Sequence, residues 1–450
     1  MKHPIYIFVF LFLLMSCADM NKTNPKPPEA QKKEKKLTIH GDTRVDPYYW
    51  LNDRENPEVI SYLEAENAYK EAMMKHTEKF QEALFNEIVG RIKQEDESVP
   101  YFQNGYYYYY RYEEGSEYPV YCRKKGSLEA PEEVILDVNK LAEGTSFCHV
   151  TGLRVSPDNK ILAYGIDTVS RRKYRIRFKN LETGKEFGDE LMNTSGHAAW
   201  ANDNKTVFYT VKDEETLRPY QIRKHVLGND RESDPLIYEE QDETYVSVVY
   251  QTKSRKYLMI ASYSTLSTEF RYMPADSPDG SFQVVQPRER EHEYQVDHFG
   301  DYFYIVTNWD AQNFRLMRTP VNETGKANWE EVIAHRKDVL LEDIEIFKDY
   351  LVIEERQKGL TSLRVRPWTG TKEYTIPFEE EAYEAYVGNN PEFDTPWLRF
   401  HYSSLTTPYS VYDYNMNTGE RKLMKRDTVL GDFDPANYEA KRLYATAEDS

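Results

Sequence analysis

A serine nucleophile of the α/β-hydrolase kind sits on a sharp strand-to-helix turn, which reads in sequence as Gly-x-Ser-x-Gly. The 450-residue chain holds no such pentad. Its nearest approach, Gly144-Thr145-Ser146-Phe147-Cys148, lacks the second glycine and the strand-turn-helix setting. The run His292-Glu293-Tyr294-Gln295-Val296-Asp297-His298 carries side chains that bind metals. It is not His-Glu-x-x-His, which sets two ligands on one helical face. In a strand, His292 and His298 would stand about 20 Å apart at roughly 3.3 Å per residue, so one ion could take both only across a turn. Polar contacts between strands are the simpler reading. No Gly-rich phosphate loop joins a strand to a helix. The residues therefore assign no catalytic, cofactor-binding or metal site, and no cofactor is expected.

The N-terminus carries a different chemistry. Lys2 precedes an unbroken apolar run from Ile5 to Met15. That run is shorter than the about 20 residues a bilayer span needs, and a short apolar run behind a basic start is the pattern of a secretory signal. It closes on Leu14-Met15-Ser16-Cys17, which is similar to a bacterial lipobox. Cys17 is the expected lipid-attachment residue, which anchors a chain without making it span the membrane. The expectation is an exported protein of the bacterial cell envelope or periplasm, lipid-anchored. Residues 18–36, rich in Lys, Asn and Pro, cannot bury enough surface to repay ordering and read as a flexible tether.

Formal net charge is -18, from 58 basic and 76 acidic residues, which disfavours a nucleic-acid partner. Solubility is the simpler reading of so acidic a surface; the alternative is that it favours basic peptides by electrostatic steering. Beyond Cys17 only Cys122 and Cys148 remain, too few for a disulfide framework and not spaced as metal ligands.

The elements that would position any chemistry are of two kinds. Asn56-Pro57 is a helix start, an N-cap followed by proline at the first helical position. The spacing of Val59, Tyr62, Leu63, Tyr69 and Met73 predicts a helix from Pro57 to about Met74. A second is predicted from Thr77 to about Lys93, with Phe80, Leu84, Ile88 and Ile92 on one stripe. From about Val99 onward, short apolar runs alternate with turns such as Ser156-Pro157-Asp158-Asn159. The runs recur at Tyr106, Leu162, Val207, Leu258, Phe303, Leu351 and Leu398, 45 to 56 residues apart. A second strand is expected near Pro119, Tyr174, Tyr220, Phe270, Phe314, Ser362 and Tyr409. A period near 50 with about four strands per unit is the signature of propeller blades. The expected fold is mainly β: a seven-bladed β-propeller over 99–435, preceded by a short helical segment over 37–98. A β-sandwich pair, a solenoid, or six or eight blades are the competing counts. A further strand is expected at Arg442–Ala447.

His40-Gly41-Asp42-Thr43-Arg44-Val45-Asp46-Pro47-Tyr48-Tyr49-Trp50-Leu51 resembles the N-terminal signature of the prolyl oligopeptidase family, with its nearest likeness to the oligopeptidase B (protease II) group. Tyr62–Tyr69, His292-Glu293-Tyr294, Val296-Asp297-His298 and Phe433-Asp434-Pro435-Ala436-Asn437-Tyr438 fit the same group. The resemblance runs from about His40 to Ser450. It implies a serine-type endopeptidase in which a propeller gates an α/β-hydrolase domain, admitting short peptides that are cut after Arg or Lys. It implies that the helical segment packs on the hydrolase domain. Residues 436–450 would open that domain, whose Ser-Asp-His triad and basic-side-chain pocket have no counterpart here. On this reading the α/β-hydrolase domain is absent from the sequence and the 450 residues are inactive alone. The alternative is a stand-alone, non-catalytic propeller that binds peptides or proteins at the cell envelope, or serves there as a scaffold.

Overall fold

The structure is a computed structural model that describes residues 25–370 and 372–449. The apolar N-terminal run and Cys17 lie outside the described residues. The chain divides into two compact units between Ile92 and Lys93.

In the first unit, strands Lys35–Ile39 and Asp42–Asp46 form an antiparallel hairpin with Ile39 opposite Asp42. Its two-residue turn, His40-Gly41, has φ of 53° and 82°. Both angles suit the twist of a tight hairpin, and glycine meets the second at no steric cost. Helix α1, Pro57–Met74, begins at the predicted cap: the Asn56 side chain accepts from the Glu58 N–H at 2.9 Å. A 3-10 turn, Lys75–Thr77, separates it from α2, Glu78–Gly90, three residues short of the predicted end. The stripe read from α2 is real and uncovered: Phe80, Leu84, Ile88 and Ile92 are 42 to 67% exposed.

The second unit is six antiparallel sheets in chain order. The first is Asp96–Glu97, Tyr106–Tyr112, Val120–Lys125 and Glu132–Asp137, with Tyr101–Gln103 also pairing Tyr106–Tyr112. The second has seven strands spanning 149–239, and the third to sixth have four each, spanning 246–286, 294–333, 339–375 and 383–426.

The expected seven separate blades are not found, and the count is corrected. Five sheets are single blades, each holding one of the predicted repeats. The repeats starting at Leu162 and Val207 fall instead in one continuous seven-stranded sheet. The cause is a 15-residue strand, Glu186–Trp200. It pairs Tyr174–Asn180 along its first part and Thr206–Lys212 along its last, with a register shift between Thr194 and Ala198. The repeat pattern sees apolar runs and turns, and a strand that bends without a turn leaves no mark in it.

Residues 442–447 carry no strand; a lone segment has no ladder to join.

The apolar runs are unbroken in the middle sheets because those sheets are buried on both faces. In strand Tyr302–Thr307, Phe303 and Ile305 pack toward the third sheet with Met259, Phe270 and Tyr272. Tyr304 and Val306, on the opposite face, pack toward the fifth with Leu341, Ile344, Leu351 and Ile353. Side chains alternate across a strand, so successive residues enter different cores. Similar cores join the second sheet to the third, the fifth to the sixth, and the first to the second.

The seam from the sixth sheet back to the first is polar. The Lys425 ammonium contacts the Asp96 carboxylate and donates to the Glu97 carbonyl at 2.7 Å. Arg399 Nη1 donates to the Pro100 carbonyl and the Asn104 N–H to Glu392 Oε1, both at 2.7 Å. Among the described residues no strand of the sixth sheet pairs with the first.

Inside the seven-stranded sheet, three glycines let backbones touch. A Cβ on Gly165 would lie 2.4 Å from the Gly196 carbonyl oxygen, and one on Gly152 2.0 Å from the same atom. Gly196 itself has φ 87°. Such contact leaves a side chain no room without moving a strand. Gly165→Ala is expected to cost about 3 kcal/mol or more, read as a lowered urea midpoint. A change within about 0.5 kcal/mol would mean that the strands part easily there.

Candidate functional site

The first-sequence strands of neighbouring sheets converge on a cavity of about 1150 Å³. Tyr101, Tyr108, Arg154, His197, Tyr250 and Arg255 are among the residues lining it. They come from the first, second and third sheets. Lys253 and Glu345, from the third and fifth, also face it.

Lys253 shows how the interior is built. Its ammonium contacts the Glu345 carboxylate and donates to the Ile346 carbonyl at 2.8 Å, reaching past the fourth sheet to the fifth. The Phe347 and Phe393 rings flank it, 4.3 and 4.9 Å from ring centre to nitrogen. An ammonium so placed has exchanged water for one carboxylate, one carbonyl and two ring faces. Burial works against the charged form of both partners, lowering Lys253 and raising Glu345.

Three further carboxylates lie near this pair, outside the cavity's lining. Asp297, on strand Tyr294–Phe299, is pushed up to about 7, first by burial and then by Asp343 and Glu345; Lys253 opposes the rise. Asp297 accepts no hydrogen bond from any described residue. Its side chain is half-buried. Asp343 and Glu354 are also raised, burial being the first cause for each. Both hold one backbone N–H, of Ile344 at 2.8 Å and of Val387 at 2.9 Å respectively. The cavity is partly open and lined by aromatic rings, with Arg154, Arg255 and Lys253 on its wall against the one carboxylate of Glu345. The further acids lie beside Glu345, outside that lining.

The sequence candidates for chemistry are dispersed. Ser146 is exposed in a turn, and Cys148 is buried with its thiol raised by burial. Cys122 is likewise free and buried, pushed up to about 12 by burial and the nearby Glu132, so neither thiol is a ready nucleophile. His292 Nε2 pairs with Thr307 Oγ1 at 3.0 Å, and its ring stacks on Tyr294. His298 Nδ1 pairs with Ser254 Oγ at 2.8 Å and is pushed down to about 4 by burial. Asp297 and His298 are consecutive in a strand and so point to opposite faces. The three do not form one site, and among the described residues no group of metal-binding side chains is found.

Sequence reading missed Lys253, Asp343, Glu345 and Glu354. The usable signal was Asp343-Ile344-Glu345-Ile346, acids and isoleucines in strict alternation. A strand with both faces buried should not alternate so unless one edge faces internal water.

Sheets stacked face to face around a polar interior define the β-propeller class. The chain belongs to the prolyl oligopeptidase family: residues 27–427 match the family's N-terminal β-propeller domain. It is 42% identical over 442 residues to dipeptidyl aminopeptidase BI of Pseudoxanthomonas mexicana, covering 94% of this chain and 61% of that protein. It is 34% identical over 429 residues to protease 2 of Moraxella lacunata, with the same coverage of 94% and 61%. Oligopeptidase B from Leishmania major superposes with a TM-score of 0.87 at 30% identity, over 94% of this chain and 64% of that one. The chain thus spans about three fifths of the length of these relatives.

The pH dependence of Asp297 has a definite sign. A carboxyl raised from 3.8 to about 7 keeps its proton in the folded state after the unfolded chain has lost it. Stability therefore falls as pH rises from about 4 to about 7, then levels. Asp297→Asn removes that fall. Between pH 5 and 8 the variant should gain about 2–3 kcal/mol relative to wild type in urea unfolding. Parallel pH profiles for the two proteins would show that Asp297 is ionised at little cost.

Proposed function

We propose that this chain is the gating propeller portion of a serine-type oligopeptidase that cleaves short peptides, after Arg or Lys. The observation that carries the reading is the match of residues 27–427 to this family's propeller domain, with a cavity edged by Glu345 and with Asp297 and Asp343 close to it. As the gate of such an enzyme, the propeller would admit extended peptides and exclude folded proteins. The acids clustered beside Glu345, raised by burial, would favour an arriving guanidinium or ammonium. The exposed apolar stripe of α2 is of the kind a hydrolase domain would cover, and that domain would supply the nucleophile, base and oxyanion donors.

A second reading is favoured by the 42% identity to a protein named dipeptidyl aminopeptidase: removal of dipeptides from a free N-terminus. Export and lipid attachment at Cys17 are part of the proposal and rest on the N-terminal sequence.

The test is to express the whole open reading frame that contains this sequence, and separately residues 1–450. Each is assayed with peptides bearing Arg, Lys or a neutral residue at the cut, N-terminally free or acetylated. The longer product is expected to cut after Arg and Lys irrespective of acetylation, and residues 1–450 to be inactive. Glu345→Gln should raise KM for basic peptides several-fold with kcat little changed. Cutting only of unblocked peptides would select the dipeptidyl reading; no peptidase activity in the longer product would leave a binding propeller. The mass of the mature N-terminus, with and without Cys17→Ser, tests lipid attachment.

A further inference from the structure

The seven-stranded sheet holds a buried group for which the proposed function has no use. His225, on strand Pro219–Val226, is 1% exposed and lies between two carboxylates. Its Nδ1 is 2.8 Å from Asp234 Oδ1, and its Nε2 is 3.0 Å from Asp189 Oδ1. The two aspartate side chains are 3% and 7% exposed.

Each carboxylate has other donors. Asp189 Oδ1 accepts the Gly228 N–H at 2.6 Å, and Asp234 Oδ2 accepts the Tyr209 hydroxyl at 2.8 Å. A neutral imidazole carries one N–H and one bare nitrogen, and a bare nitrogen facing a carboxylate oxygen is repulsive. Both contacts are satisfied only when both ring nitrogens carry protons. A carboxylic acid is the stronger acid by more than two units in ordinary surroundings, so the shared protons stay on the ring.

The position of the clamp gives it a mechanical role. Asp189 is on Glu186–Trp200, the strand that fuses two repeats, and His225 is two strands away, with Thr206–Lys212 between them. Asp234 follows the 3-10 turn Arg231–Ser233. The clamp thus ties both halves of the fused sheet and the turn beside it. The groups facing it are Tyr209 from the intervening strand, Arg223 from the strand of His225, whose Nη1 donates to the Asp234 carbonyl at 3.0 Å, and Arg231 from the turn. On the remaining side the Phe178 ring lies nearly parallel, 6.1 Å away at 22°.

We propose that Asp189–His225–Asp234 is a proton-held latch, closed while His225 is an imidazolium and released at alkaline pH, that fastens the two halves of the seven-stranded sheet. Burial alone would lower the histidine; the two carboxylates outweigh it and hold His225 above its ordinary value. A raised histidine stabilises the fold fully below the unfolded value of about 6.5, and that contribution is lost as pH rises through the folded value. The latch is therefore fully set below about pH 6.5 and opens as pH rises through the raised folded value.

The experiment uses the whole protein with isotope-labelled histidine, the His225 signal being assigned by its loss in His225→Gln. Nitrogen shifts should show both ring nitrogens protonated at pH 7. Hydrogen exchange of peptides covering 186–192 and 219–228, corrected for intrinsic pH dependence, should lose protection at least tenfold as His225 titrates. His225→Gln should abolish that step. Asp189→Asn, the variant to use if His225→Gln does not fold, should move the His225 midpoint to lower pH. A bare ring nitrogen at pH 7 would overturn the proposal. So would protection that ignores the titration, or a midpoint unmoved in Asp189→Asn.

Discussion

Burial of both faces of the second to fifth sheets is the constraint on which the rest depends. Tyr304 and Phe303 are neighbours in sequence and members of different cores. No sheet of this unit can satisfy such a strand by itself, so each needs a partner on either side. Stacking has to continue until the chain meets its own beginning. There the apolar cores stop, and Lys425, Arg399 and Glu392 make polar contacts to residues 96–104. Charged contacts of this exposure contribute about a kilocalorie each at most, whereas a buried aromatic or aliphatic side chain is worth roughly 1.5–3. The seam is thus the weak joint of the ring.

The cavity is the other consequence of the same geometry. Sheets that pack by their faces leave inner edges that cannot all touch, and the space between them holds what the cores exclude. The acids beside it are raised first by burial, with mutual repulsion adding to the rise and Lys253 opposing it. Elsewhere charged side chains away from water are directly paired, as with Arg399 and Asp413.

Much of this was legible in the residues. Repeat spacing located the second strands at Tyr174, Phe270 and Ser362, and the cap at Asn56 placed α1 to the residue. The count of separate blades was not legible. Glu186–Trp200 crosses two repeats without Pro or an Asx turn, and its bend rests on Gly196 against Gly165, a contact between residues distant in sequence. Asp297 was singled out as part of a His-Asp-His cluster, yet its partners are Asp343, Glu345 and Lys253. Strand alternation separated it from His298, and long-range stacking brought the others near. Such convergence across an axis leaves only a faint local trace, the acid–isoleucine alternation at 343–346.

The most direct measurement is native-state hydrogen exchange across low urea concentrations, comparing the sheet strands Tyr106–Tyr112 and Trp397–Ser404 at the seam with Tyr302–Thr307 opposite. If the ring is held at one polar joint, the two seam strands open together at lower free energy, and Lys425→Ala lowers their protection without altering 302–307. Equal opening free energies throughout, unaffected by Lys425→Ala, would contradict it and mean that the seam is as firmly packed as any other junction.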